Sequence, residues 1–176
     1  MNVARIALAG MIVIALVAGV SMYYLQVYAY YDRISAEQAQ VELTSTLTGQ
    51  PEPILFDGFN AIDSDSSPIR YRACFHTELS MGTLTDTYQI YETAEPLVAP
   101  GWFSCFDAET IGADLESGTA VAFLGTENIH YGIDRIVAVY PDGRAYAWNQ
   151  INECGAVVFD GDPAPEGCPP VPEGMQ

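Results

Sequence analysis

The chain contains no lysine. Six arginines are its only fixed cations, against 23 aspartates and glutamates, and the formal net charge is −17 at pH 7. A nucleic-acid partner is thereby excluded, because binding a phosphate backbone requires cations that displace its counterions. Anionic lipid headgroups are repelled for the same reason. Histidine is nearly absent, with only His76 and His130. The HExxH pair of a zinc hydrolase is missing. The four cysteines include no CxxC, which argues against a zinc ribbon and against a thioredoxin-like redox pair. GxSxG, a Walker loop, GxGxxG and a catalytic Cys/His signature are all missing. No catalytic residue is assigned, no enzyme activity is expected, and no cofactor is expected.

One long apolar run is present. Ile6 to Leu25 carries no charge, and the next charged residue is Asp32. Twenty residues at ~1.5 Å rise span ~30 Å, the thickness of a bilayer's hydrocarbon core. Lipid offers the backbone no hydrogen-bond partner, so such a run must be helical. Signal peptides have shorter apolar cores, of ~7–15 residues, ending at small residues. This run instead leads into Tyr23, Tyr24, Tyr28, Tyr30 and Tyr31, which suit a membrane–water interface. Residues 1–31 are therefore expected to form a retained transmembrane anchor. Ala15 and Gly19 give it a small-xxx-small step through which another helix could pack closely.

All 23 acids and five of the arginines follow this run, a formal charge of −18 on residues 32–176. That segment is long enough for one ordinary domain. Its charge either attracts a basic partner or serves only to keep the domain soluble. Cys74, Cys105, Cys154 and Cys168 read as two disulfides of an exported domain. Three pairings are open; Cys74–Cys105 with Cys154–Cys168 is favoured, since the second would pin the Pro-rich tail. An oxidising compartment places the N-terminus in the cytoplasm and residues 32–176 in the periplasm of a bacterial inner membrane.

Residues 35–47 contain good helix formers without Pro or Gly, and predict a helical stalk within 32–53. A strand is expected over 54–59 and another over 69–77, where apolar and polar residues alternate. Met81, Leu84, Tyr88 and Tyr91 have helical spacing behind Ser80 as N-cap. Asp107 caps a second helix, with Ile111 and Leu115 inward and Gly118 after its end. An apolar strand over 119–124 follows. Residues 133–140 and 144–151, around Pro141-Asp142-Gly143, form the clearest hairpin signal. An edge strand is expected at 157–159, then an irregular Pro/Gly-rich tail over 161–176. The expected fold class is α+β: one disulfide-stapled domain over 54–160, an antiparallel sheet of four or five strands with two short helices on one face.

Cys74, His76 and Met81 offer soft ligands suited to copper, weighed against a disulfide cysteine and a surface histidine. Asp63-Ser64-Asp65-Ser66-Ser67 resembles the start of a calcium loop. However, Pro68 and Cys74 stand where an EF-hand needs Gly and Glu. Asp160-Gly161-Asp162 is a short match of the same kind. Trp102 and Phe103, with Phe106, form either an exposed binding loop or part of the core.

The stretches YYLQVYAYY, SSPIRYRACF, TYQIYE, LVAPGWFSCFDAETIG, YGIDRIVAVYPDGR and VVFDGDPAPEGCP together resemble a family of small single-span alphaproteobacterial membrane proteins described as a domain of unknown function. The resemblance covers nearly the whole chain and implies no catalytic residues. The histidine-kinase label that members sometimes carry does not fit. The phospho-accepting helix and the ATP-binding glycines are both missing from this sequence.

The expected role is a non-catalytic accessory subunit or assembly factor of an inner-membrane complex, such as a respiratory oxidase or cytochrome complex. Its partners would be that complex, through the anchor, and a basic soluble protein such as a cytochrome. The alternatives are a stand-alone membrane-anchored periplasmic binding or sensing module and periplasmic copper handling.

Overall fold

A computed structural model describes residues 3–174, which fall into two compact units divided after Asp32. The first is one helix, α1 (Val3–Val27), with no buried residue. Its large side chains, Leu8, Met11, Ile14, Leu16 and Val20 among them, are all exposed. At ~1.5 Å per residue, its 25 residues exceed the ~30 Å needed to cross a bilayer. At its end the Tyr28 ring stacks on Tyr24 and meets Tyr23 edge-on.

The second unit is built from β1 (Asp32–Ile34), β2 (Glu42–Thr44), β3 (Pro51–Pro53), β4 (Asp57–Asp63), β5 (Arg72–His76), α2 (Met81–Thr87), α3 (Ala108–Glu116), β6 (Val121–His130), β7 (Ile133–Val139), β8 (Arg144–Ile151) and α4 (Glu153–Phe159). Six strands form one sheet in the order β1-β4-β5-β8-β7-β6, and β2 pairs with β3 in a second. The pairs from β4 across to β6 are antiparallel. The two sheets are joined by residues 87–91, which lie as a strap between them. On one side Thr46 N donates to Thr87 O and Gln89 N to Thr44 O. On the other, Tyr91 N donates to Ala122 O and Leu124 N to Gln89 O. The sheet thus curls past β6 onto β2 and β3.

Strand alternation gives the sheet two buried faces. Ala73, Phe75, Phe123, Val137, Val139, Ala145 and Ala147 share the inner face of the curl and pack with Val41, Leu43, Ile54 and Leu84. Cys74, Tyr146, Ala138, Ile136 and Trp148 are cross-strand neighbours on the opposite face. There Phe106 meets Tyr146 and Trp148 edge-on, and the Tyr140 hydroxyl donates to Asp114 of α3 at 2.7 Å. Arg72, also buried, clamps the covering loop: its guanidinium donates to the carbonyls of Ile69, Tyr71, Leu97 and Val98. The Cys74–Cys105 disulfide ties the same loop to β5, and Cys154–Cys168 ties α4 to the tail. Both favoured pairings are present.

The α+β class, the disulfides and the hairpin of β7 and β8 stand as the sequence predicts. Four local expectations are corrected. The helical stalk does not form. Residues 35–38 make a turn and β2 follows, because Val41 and Leu43 alternate with polar neighbours and are buried in the core, Leu43 completely. The folded unit accordingly begins at Arg33, well before residue 54. Residues 157–159 belong to α4, not to an edge strand, because Asn152 accepts from Gly155 N and starts a helix. The first strand of the large hairpin is shifted from 54–59 to Asp57–Asp63. Finally, α2 and α3 lie on opposite faces of the sheet: Leu84 enters the inner core, whereas α3 covers Tyr140. The predicted caps are in place, Ser80 on Thr83 N and Asp107 on Glu109 N and Thr110 N.

Candidate functional site

The residues singled out from sequence do not converge. Cys74 is spent in a disulfide, so it supplies no thiolate beside His76. The imidazole of His76 instead sits 3.1 Å from the Asp142 carbonyl and 3.9 Å from the Asp57 carboxylate. Met81 packs against the inner core. Phe103 and Phe106 are buried in the core, while Trp102 is half-buried against Phe103. Ala15 and Gly19 remain exposed on α1. Among the described residues, no group of three or more His, Cys, Asp or Glu side chains is placed to hold a metal ion. Asp160 and Asp162 follow α4 as exposed residues.

An acidic groove lies where sequence spacing marked nothing. After the strap, residues 92–96 leave the sheet and run beside α3. One cavity of about 300 Å³ is bounded by Ile90, Glu92, Glu95, Leu115, Glu116 and Val121. A second, of about 360 Å³, shares Ile90, Tyr91 and Glu92 with it and adds Glu127, Asp134, Asn152 and Glu153. Neither is lined by an arginine or a histidine. The ion pairs among the described residues, His76–Asp57 and Arg144–Asp142, are formed by other residues.

Asp134 anchors the second cavity. It is only 5% exposed, and its carboxylate accepts three hydrogen bonds. Asn128 N and the Asn152 side-chain amide each donate at 2.8 Å, and the Tyr91 hydroxyl at 3.2 Å. Asn128 holds a left-handed backbone at φ 47° to make this contact, a conformation that asparagine tolerates better than most residues. Burial, then the Asp134 charge, pushes the Tyr91 hydroxyl up to about 12. One carboxylate thereby joins the strap, β6, β7 and the N-cap of α4. Among the described residues it forms no ion pair. The sequence signal for this site is weak. The acids lie at residues 92–153, with no fixed spacing, in a segment after residue 31 that carries all 23 acids of the chain.

A third cavity, of about 350 Å³, lies at the far end of β6 and β7 and is lined by Asp63, Asp65, His130, Tyr131, Ile133 and Phe159. The aspartates of the calcium-like loop therefore line the same cavity as one of the two histidines. The Tyr131 hydroxyl is closed off from solvent and has no hydrogen-bond partner among the described residues.

The groove can attract and hold positive charge. It offers no nucleophile paired with a base, and its negative field disfavours anionic substrates. No curated protein and no solved structure matches the chain. Residues 41–169, which include β2, all four cysteines and every acid of the groove, match the family described as "Family of unknown function (DUF6446)", and the chain belongs to that family.

Proposed function

We propose that the protein is a non-catalytic accessory subunit or assembly factor of an inner-membrane complex, of the respiratory oxidase or cytochrome type, with its folded domain in the periplasm. The observation that carries this reading is the pairing of two parts. One is a 25-residue, predominantly apolar helix with no buried residue. The other is a disulfide-bonded domain whose formal charge is −18. Helices of that kind associate in lipid through close packing at small residues, and Ala15 and Gly19 supply such a step. The two disulfides favour an oxidising compartment, and the alphaproteobacterial resemblance of the sequence motifs favours the periplasm. A basic soluble partner such as a cytochrome would be steered toward the domain by its field.

The second reading is a stand-alone binding or sensing module. The cavity lined by Tyr131 and His130 supports it, being of the size that takes a small ligand. Copper handling loses its main ligand to the Cys74–Cys105 disulfide.

Tagged protein purified in mild detergent from its native membrane tests the proposal. Stoichiometric recovery of a multisubunit membrane complex is the expected result. Recovery of the chain alone, together with unchanged complexes in a deletion strain, would overturn it.

A further inference from the structure

We infer that the cavity between the β4–β5 loop, the β6–β7 turn and the end of α4 binds a small organic cation, an alkylated ammonium that also carries a hydroxyl. The inference gives the second reading a ligand class and rests on the cavity behind that reading, not on the accessory role.

Three segments far apart in the chain build this cavity. Asp63 and Asp65 come from the loop after β4, His130, Tyr131 and Ile133 from the turn between β6 and β7, and Phe159 from the end of α4. Backbone contacts fix their placement. Asn152 N donates to the Gly132 carbonyl, and a methyl on Gly155 would collide with the Gly132 backbone, so α4 is seated directly on the turn. The loop is held as well. Ser64 is buried and its hydroxyl bonds that of Ser66, while Asn149 donates to the Pro68 carbonyl at 2.6 Å. At about 350 Å³ the space falls at the low end of the ~300–1,000 Å³ typical of ligand sites.

Charge selects a cation. No arginine lines the cavity, and neither Asp63 nor Asp65 forms an ion pair among the described residues. Arg135 feels the Asp63 charge, yet its guanidinium lies over the Tyr71 ring and donates to Asn149, outside the lining. The apolar walls select an alkylated cation. Ile133 is buried, Phe159 is 45% exposed, and both share the cavity with Tyr131. A primary ammonium needs acceptors for three N–H groups, whereas methyl groups around a cation match aliphatic surface and aromatic rings attract the charge. Metal ions fit poorly, because three ligating side chains do not converge among the described residues.

The Tyr131 hydroxyl selects the second group, independently of the acids. It is closed off from solvent and has no hydrogen-bond partner among the described residues, a costly state for a buried polar group. A ligand oxygen that reaches it supplies the missing partner.

The test titrates choline into the full chain by calorimetry, in maltoside micelles, which contain no choline headgroup. Its controls are neohexanol, the neutral isostere, and ethyltrimethylammonium, which lacks the hydroxyl. Choline is expected to bind at least tenfold more tightly than neohexanol and several-fold more tightly than ethyltrimethylammonium. Asp63→Asn with Asp65→Asn should weaken choline binding at least tenfold. Glu92→Gln with Glu116→Gln removes the same charge from two exposed acids elsewhere and should change it less than twofold. Tyr131→Phe should erase the preference for choline over ethyltrimethylammonium. Without ligand, its unfolding midpoint should be unchanged or higher, since only an unpaired hydroxyl is deleted. Near-UV circular dichroism checks that each variant folds. Equal losses in the two charge pairs would reduce the effect to net charge and overturn the site. Absence of choline binding at millimolar concentration, neohexanol binding as tightly, or an intact preference in Tyr131→Phe would overturn it as well. Phosphocholine separates a free ligand from a lipid headgroup. It is expected to bind at least tenfold more weakly than choline, because its phosphate meets the aspartates, and equal affinity would overturn a free ligand. Co-purification of a membrane complex is measured separately, so this ligand can fail while the accessory role stands.

Discussion

Asp134 and Tyr91 show how a single buried charge shapes its neighbours. The Tyr91 hydroxyl donates to a carboxylate that could not accept from a phenolate. Burial first, then the Asp134 charge and this hydrogen bond, delay its ionisation from the usual 10 to about 12. The neutral form is the one favoured by folding. The stability it contributes is fully present below pH about 10 and is lost as pH rises toward about 12. Denaturation followed from pH 9 to 12 should show that loss in the native chain and a shallower one in Tyr91→Phe. Identical alkaline limbs would remove Tyr91 from the account. Two glycines give predictions of opposite sign. A methyl on Gly155 would collide with the backbone of Gly132, where α4 crosses the turn after β6. Gly155→Ala should cost about 1–3 kcal/mol or more in denaturant unfolding, as overpacking does. In the middle of α3, a methyl on Gly112 meets only Pro96 at ordinary contact distance. Gly112→Ala should be neutral or stabilising by up to ~1 kcal/mol.

Among the elements, β2 is where local and tertiary preferences part. Residues 35–47 have helix-forming composition, yet the alternation of Val41 and Leu43 serves the inner core. Leu43 is fully buried and Leu47 is 92% exposed. Leu43→Ala should cost about 2–5 kcal/mol, whereas Leu47→Ala should change the unfolding midpoint hardly at all. Equal, small effects would restore the stalk. The disulfides act on elements too. Cys74–Cys105 closes 31 residues and Cys154–Cys168 closes 14, each worth about 3–4 kcal/mol by chain entropy. Non-reducing mass spectrometry of membrane-extracted protein should find four hydrogens fewer than the reduced chain. Four free thiols would remove both bridges and the main support for a periplasmic domain.

The whole molecule divides into an apolar helix and a charged domain, and two measurements address them separately. N-terminal sequencing of the mature protein should find residues 1–25 attached, and alkaline carbonate should not release the protein from membranes. A mature start near Met22 would end the accessory-subunit reading. Salt distinguishes the two kinds of partner. Screening shortens from ~10 Å at 0.1 M to ~3 Å at 1 M salt. The on-rate of a basic soluble partner should then fall steeply while dissociation changes less, and helix packing in lipid should be indifferent. A deletion that leaves cytochrome kinetics unchanged at every salt concentration would leave only the scaffold role.

The sequence by itself determined what depends on near neighbours or on composition. A charge-free run of this length must be a helix wherever it meets lipid. Ser80 and Asp107 cap the first turns that follow them, because a short acceptor side chain reaches amides two or three residues on. Pro141-Asp142-Gly143 turns β7 into β8, where Gly143 takes a positive φ of 88°. Cys154 and Cys168 are close enough in the chain to pair before much else is arranged. Tertiary structure decided the rest. Val41 and Leu43 entered an extended segment because β3 and Ile54 offered backbone partners and the inner core, drawn from distant strands, took their side chains. Phe103 went inward because Arg72 and Cys74 hold its loop down from another strand. The second cavity exists only because the fold of the sheet sets Glu92, Glu127, Asp134 and Glu153, from four separate segments, around one opening. Charge is legible in composition, but convergence of charge is not, because it depends on strand register and on where the chain crosses itself.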